Sequence, residues 1–172
     1  FTGALLRFRD NKDQWQFRMF GVQPVERYPT ASQDILDGRH RFDEEAYRTY
    51  LSGGLFEWFD IGYNINAETY LYYLDENDRP GVGTSNRHLF TPGLRVYRQP
   101  GKSQFDFEVE SVAQTGTLRG SSAATDVKNL DHQAWFQHVQ AGYTFDLPWT
   151  PRFLAMYDWA SGDQTAKDNK SG

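Results

Sequence analysis

Three carboxylates alternate with three apolar side chains in the run Phe105-Asp106-Phe107-Glu108-Val109-Glu110. Neighbouring carboxylates can act as acid and base, or as acid and nucleophile, on a glycosidic bond. Alternate residues of a strand lie about 7 Å apart at their backbones, so the spacing permits this chemistry. Nothing in the sequence sets one carboxylate apart from the others, however, and no catalytic residue is predicted.

Seven arginines are predicted on the same side of their strands as these carboxylates: Arg7, Arg9, Arg18, Arg48, Arg87, Arg95 and Arg152. A guanidinium group donates two parallel hydrogen bonds to a carboxylate or sulfate. The arginines therefore contact an anionic solute, or they pair across strands with Glu68, Asp106, Glu108, Glu110 and Asp158 and tie the wall together. Tyr70, Tyr72 and Tyr97 are predicted on this side too, where their rings could stack on sugars.

The sequence gives little support for a metal site, a serine nucleophile or a nucleic-acid interface. The four histidines lack the close spacing of a metal site, and Ser121, Asp126 and His132 lack the strand-turn-helix context of a nucleophile. The sequence has no cysteine, which removes disulfides and thiolate metal ligands. A net charge of -5 without a basic cluster argues against nucleic acid as a partner. We predict no metal and no cofactor.

The elements that position these residues are strands, because the side-chain alternation has a period of two. Eight strands are predicted, at residues 1–9, 14 to about 25, 46–55, 67–74, 87–98, 105–113, 132–145 and 152–159. The connections alternate between short turns (10–13, 56–65, 99–103, 147–150) and long polar loops (26–44, 75–86, 115–131 and from 161). This alternation is typical of a transmembrane β-barrel, with turns on one side and loops on the other.

The composition is compatible with such a barrel. Aromatic residues reach 16%, while the mean hydropathy of -0.73 and the lack of an apolar stretch near 18 residues exclude a membrane helix. Six rings are predicted on the apolar side, as in the girdles at membrane interfaces: Trp15, Trp135, Tyr143, Phe153, Tyr157 and Trp159. A soluble, eight-stranded, lipocalin-like barrel is the main alternative, and it would bury Phe105, Phe107 and Val109 around an apolar ligand.

Six sequence segments, in this order and at this spacing, resemble those of a known protein family: Phe1-Thr2-Gly3-Ala4-Leu5-Leu6-Arg7-Phe8-Arg9, Phe20-Gly21-Val22-Gln23-Pro24-Val25, Tyr70-Leu71-Tyr72-Tyr73-Leu74, Phe105-Asp106-Phe107-Glu108-Val109-Glu110, Ala141-Gly142-Tyr143-Thr144-Phe145 and Ala160-Ser161-Gly162-Asp163. The chain resembles the alginate-export family of Gram-negative outer-membrane β-barrels over nearly its whole length. The resemblance implies a barrel of well over a dozen antiparallel strands, to which these eight would contribute an arc. Because the founding member of the family exports an anionic polyuronate, the resemblance also implies a pore lined with basic groups.

We therefore expect an all-β, antiparallel transmembrane β-barrel segment, with residues 1–172 as a single internal fragment of a larger barrel. The expected function is passive passage of a hydrophilic, anionic solute or polysaccharide through a charged lumen. The expected partners are outer-membrane lipid and the solute, while periplasmic or plugging proteins stay unidentified. The less favoured alternative is an outer-membrane barrel enzyme with a catalytic cluster at its outer rim.

Overall fold

The computed structural model describes residues 1–26, 28, 31–40, 42–161 and 170–171 of the chain. Its elements, in chain order, are β1 (Thr2–Arg9), β2 (Trp15–Gln23), β3 (Val25–Glu26), α1 (Ser32–Leu36), β4 (Glu44–Glu45), β5 (Thr49–Trp58), β6 (Ile65–Glu76), β7 (His88–Arg98), β8 (Gln104–Leu118), β9 (Leu130–Thr144), β10 (Arg152–Ala160) and β11 (Lys170–Ser171). Among the described residues no helix is long and apolar enough to cross a membrane.

The eight long strands form one sheet in the order β1-β2-β5-β6-β7-β8-β9-β10, and each is antiparallel to its neighbours. β11 pairs in parallel with β9 at Asp131 and His132, while β3 and β4 form a separate pair. β1 and β10 are the open edges of the long-strand path within the described part of the chain. The predicted all-β, antiparallel arc is confirmed.

The register gives the sheet two chemically different faces. Residues that lie directly opposite each other on neighbouring strands project to the same side. The "charged face" is the side that carries Arg18, Glu57, Glu68, Arg95 and Glu108. The "apolar face" is the opposite side, with Trp15, Phe56, Leu71, Leu94 and Val109. The predicted alternation thus extends coherently across the strands.

Burial is greatest on the charged face. Gln16, Glu57 and Asp106 are only 6%, 6% and 2% exposed. The exposed large hydrophobic residues of the interior strands β2 and β5–β9 all lie on the apolar face: Trp15, Met19, Tyr50, Trp58, Leu71, Phe90, Leu94, Phe105, Val109, Trp135 and Val139. A soluble barrel would instead bury its large hydrophobic side chains and expose its charged ones. Because Phe105 is 70% exposed, the lipocalin-like alternative is disfavoured.

The connections differ in length at the two ends of the sheet. Short turns at one end span residues 10–14, 59–64, 99–103 and 145–151, and several of their residues have positive φ angles, including Asp13 (56°), Ser103 (56°) and Thr150 (42°). The other end carries the longer connections 24–48, 77–87 and 119–129. Most of the predicted fourth loop, which begins at Ser161, lies outside the described residues. The same holds for Gly162-Asp163, the end of the last sequence segment that resembles the family.

Two local features differ from expectation. The predicted loop at 26–44 contains the five-residue helix α1, which is too short for its sequence to show a helical period. The two ends of this loop pair with each other in the small β3–β4 sheet. Proline within a sheet is normally confined to edge strands or bulges, but Pro92 lies in the interior strand β7. The pairing of β7 with β8 is interrupted at Thr91 and Pro92 and resumes in the same register at Gly93, because proline has no N–H to donate.

Candidate functional site

The first group of polar residues on the charged face connects β1, β2 and β5. Arg18 donates from Nη2 to Glu57 Oε2 at 2.8 Å, and the Gln16 amide donates to the same carboxylate. The Gln16 carbonyl oxygen in turn accepts from Arg7 Nε at 2.9 Å and Nη2 at 2.6 Å. A buried carboxylate and a buried amide therefore hold two arginines at neighbouring positions.

Arg95 lies at the centre of a second group, on the adjacent strands β6, β7 and β8. Its Nε donates to Glu108 Oε1 at 2.7 Å, and its Nη1 donates to Glu68 Oε2 at 3.3 Å. The guanidinium carbon also lies 4.4 Å from the centre of the Tyr97 ring, which is the geometry of a cation–π contact. One arginine thus links the charged faces of three strands.

The third group joins β8 to the edge strand β10 across β9. Arg152 donates from Nε to Asp106 Oδ2 at 3.2 Å and from Nη2 to Asp106 Oδ1, which makes a two-bond pair. Gly142 lies between them on β9, and a Cβ atom there would come within 2.8 Å of the Asp106 carboxylate. The missing side chain at Gly142 therefore leaves room for an ion pair that joins β8 to β10 across β9.

Smaller polar contacts complete the charged face and its ends. Arg87, just before β7, makes a bidentate pair with Glu76 at 2.8 and 2.9 Å, and Arg9 pairs with Asp13 at 2.8 Å. The hydroxyl of Tyr70 donates to Glu110 Oε1 at 2.6 Å. Further along the face, His138 Nδ1 lies 2.5 Å from Asp158 Oδ1.

The three carboxylates of the acidic ladder have different partners. Asp106 pairs with Arg152, Glu108 with Arg95, and Glu110 accepts from Tyr70. The structure therefore shows each of the three carboxylates bound by a different side chain of the sheet.

The remaining sequence candidates are not brought together. Ser121 donates to Asp126 at 2.9 Å within a loop, while His132 contacts Gln114 at 2.9 Å on the charged face. In the described part of the chain, no group of three His, Asp or Glu side chains is arranged to hold a metal ion.

The predicted placement of Arg48 within a strand was wrong. Arg48 lies in a turn with φ of 66°, outside any strand, and β5 begins at the next residue, Thr49. The predicted faces of this strand are also reversed, because the pairing with β2 and β6 puts Leu51 on the charged face and Tyr50 and Ser52 on the apolar face. β5 continues to Trp58, through residues that were expected to form a turn.

This error concealed the central residue Glu57. Glu57 was assigned to the turn, although Phe56-Glu57-Trp58 repeats the apolar–acidic–apolar signal of β8 and could have revealed it. Gln16, the second central residue, lies on β2 and is not among the predicted site residues. The other predicted arginines all have acceptors, namely Gln16 for Arg7, Asp13 for Arg9, Glu57 for Arg18, Glu76 for Arg87, Glu68 and Glu108 for Arg95, and Asp106 for Arg152.

Ion pairs also connect the long loops. Glu26 pairs with Arg79, and Asp78 accepts from Arg119 Nη1 at 2.5 Å and from the Thr84 backbone N–H at 3.0 Å. The hydrogen bond from Arg79, with a second from Tyr28, lowers the pKa of Glu26 below its ordinary value. The pKa of Asp78 is lowered by the bonds from Arg119 and Thr84. The loops that follow β2, β6 and β8 are therefore joined by charge.

An antiparallel sheet with paired charges on one face and exposed rings on the other belongs to the class of membrane β-barrel walls. The family model described as alginate export matches residues 1–172, and the chain belongs to that family. The family supports an export or porin-like role in the outer membrane in general. Neither the curated proteins nor the solved structures contain a match to this chain.

Proposed function

We propose that this chain forms an arc of a larger Gram-negative outer-membrane barrel, and that a hydrophilic, anionic solute or polysaccharide passes along its charged face. The observation that carries the proposal is the inverted burial of the sheet. Asp106 is 2% exposed while Phe105, its neighbour in sequence, is 70% exposed. Hydrocarbon outside and a polar lumen inside account for both values.

Closure of the barrel follows from the same physics. Within the residues that the structure describes, the edge strands β1 and β10 each have one side without a strand partner, and lipid offers no hydrogen bonds to satisfy the backbone groups there. Further strands of the protein would pair with these edges. In this arrangement lipid contacts the apolar face, and the ion pairs of the charged face line the path of the solute.

The wall carboxylates neutralise much of the guanidinium charge, so an anionic solute must compete with them. Each guanidinium group has five N–H donors, and the contacts described above use only some of them. Arg7 is the most favourable contact point, because its partner is the neutral amide of Gln16 rather than a carboxylate. We propose that solute carboxylates bind the arginines of β1 and β2 in passing.

Single-channel conductance of the full-length protein in planar bilayers tests this function. The account predicts an open channel with an anion-to-cation permeability ratio that falls in the double variant Arg7→Gln, Arg18→Gln. Arg39→Gln is a matched control, since Arg39 lies in a loop and pairs with Asp34 at 3.1 Å. Absence of conductance would overturn the pore, and an unchanged ratio in the double variant would overturn the role of these arginines.

A further inference from the structure

Three aromatic rings form a connected row on the charged face, where a hydrophilic lumen does not call for them. The ring centres of Phe20 and Tyr72 are 5.8 Å apart, and those of Tyr72 and Tyr70 are 4.9 Å apart. We call these three residues the aromatic band. Tyr70 and Tyr72 lie near the middle of β6, so the band lies between the two ends of the wall.

Two glycines make room for the band. A Cβ atom at Gly53 of β5 would collide with the Tyr72 ring, and one at Gly93 of β7 would collide with the Tyr70 ring. The two rings therefore lean over the backbones of the strands on either side of β6. Through these contacts the band extends from Phe20 on β2 across to β7.

The rings of the band are half-buried, so part of their surface stays open on the charged face. Polar groups lie beside this surface. Tyr70 donates to Glu110, and Thr91, directly opposite Tyr72, accepts from Gln114 at 2.9 Å. Arg18 lies two residues from Phe20 on the same strand and face. The site thus combines open aromatic surface with hydrogen-bonding side chains.

This combination matches the chemistry of a sugar ring. The face of an aromatic ring is electron-rich, and the C–H groups on one side of a pyranose carry partial positive charge. The sugar hydroxyls need hydrogen-bond partners around that contact, and carboxylate, amide and hydroxyl groups all serve. An ion or a small linear solute gains little from stacking, so the row of rings favours a saccharide.

We propose that the aromatic band is a stacking subsite for the pyranose rings of a saccharide in the lumen. This inference rests on the proposed function and adds a contact that does not depend on solute charge. The rings would hold the sugar briefly at mid-depth, and the neighbouring polar groups would exchange hydrogen bonds with its hydroxyls as it moves.

Block of single-channel current by a neutral oligosaccharide measures the contribution of ring stacking to binding without a contribution from solute charge. The full-length protein in planar bilayers is exposed to maltohexaose, and the residence time of each blocking event is measured. The wild type should show resolved blocks. Tyr72→Leu should shorten the residence time about tenfold, whereas Tyr72→Phe, which keeps the ring, should stay within about twofold.

Tyr73→Leu is the matched control, because Tyr73 follows Tyr72 on the same strand but lies on the apolar face against Phe90. Its residence time should equal that of the wild type. A polyethylene glycol of similar mass should block all variants alike, since it tests size alone. Phe20→Leu serves as a second band variant if Tyr72→Leu does not insert, and it should also shorten the block.

The outcomes distinguish the band from the pore. An open wild-type channel that maltohexaose does not block would overturn the stacking subsite. A blocking residence time in Tyr72→Leu or Phe20→Leu equal to that of the wild type would overturn it too. Both results would leave the proposed function standing. Absence of any conductance would overturn the proposed function, and the subsite with it.

Discussion

Arg7 and Arg18 lie directly opposite each other on β1 and β2, so two guanidinium groups project from paired positions of the charged face. Like charges in this relationship destabilise a sheet. The wall offsets the repulsion with Glu57, which binds Arg18, and with Gln16, which links Arg7 to the same carboxylate. One carboxylate and one amide thus hold the two arginines at paired positions of the sheet.

Replacement of Glu57 by glutamine should destabilise the protein. The carboxylate is 6% exposed and accepts from both Arg18 and Gln16, so its loss leaves two opposed arginines without a neutralising charge. We expect the free energy of unfolding to fall by about 1–3 kcal/mol. Urea unfolding of the full-length protein in lipid vesicles measures this change.

Glu45→Gln is the control for this experiment, since Glu45 is an exposed residue of the short strand β4. A surface substitution of this kind should change the free energy by no more than about 0.5 kcal/mol. Equal effects of the two substitutions would contradict the role assigned to Glu57.

The pair Asp106–Arg152 should show strong coupling in a double-mutant cycle. Asp106 is almost fully buried and binds the guanidinium group through two hydrogen bonds. With Asp106→Asn and Arg152→Gln, we expect a coupling free energy of about 1–3 kcal/mol in vesicle unfolding. The exposed turn pair Lys102–Asp146, at 3.2 Å, is the comparison and should give less than about 1 kcal/mol. Similar couplings for the two pairs would argue against a special role for the buried one.

A charge on the apolar face should impair folding into lipid, whereas a charge on the opposite face should be tolerated. Leu94 is 52% exposed on the apolar face of β7, and Leu94→Arg should cost about 2–4 kcal/mol near the bilayer midplane. Gln140→Arg is the matched variant, because Gln140 lies on the charged face opposite Glu108. Vesicle folding titrations measure both, and a well-tolerated Leu94→Arg would contradict the assignment of the faces.

The loop contacts should weaken in acid. A carboxyl group whose pKa is lowered by folding stabilises the structure above its ordinary value, and that contribution is lost as the pH falls through the lowered pKa. Glu26, held by Arg79 and Tyr28, and Asp78, held by Arg119 and Thr84, have ordinary values of 4.5 and 3.8. The contacts between the loops should therefore persist at pH 7 and be lost below these values.

Hydrogen exchange of residues 77–87 measures this loss, with the double variant Glu26→Gln, Asp78→Asn as the reference. Exchange should be faster in the variant than in the wild type at neutral pH. The difference should shrink as the pH falls below about 4, once intrinsic rates are corrected. A difference that stays constant with pH would show that these carboxylates do not hold the loops.

Sequence alternation predicted the faces of the long strands correctly wherever it was unbroken, because a period of two fixes the side of every residue. It failed at β5, where Gly53-Gly54 interrupts the pattern. The face of β5 is decided by its register with β2, which places Phe17 opposite Phe56 and Trp15 opposite Trp58. Such a cross-strand relationship is not visible along one strand.

The partners of the charged residues could not be predicted either. Arg152 reaches Asp106 across an intervening strand, at a position where Gly142 leaves space. Register and side-chain volume on three strands together determine that contact. The sequence could predict which residues share the charged face, but not which of them bind each other.

The central claim is that lipid contacts the apolar face and water contacts the charged face. Because residues 1–172 contain no cysteine, single cysteines at positions 105–110 can carry a spin label without interference from this part of the protein. In the full-length protein in bilayers, labels at 105, 107 and 109 should collide with dissolved oxygen, and labels at 108 and 110 with a water-soluble nickel complex. Collisions of the nickel complex with labels at 105, 107 and 109 would contradict the account.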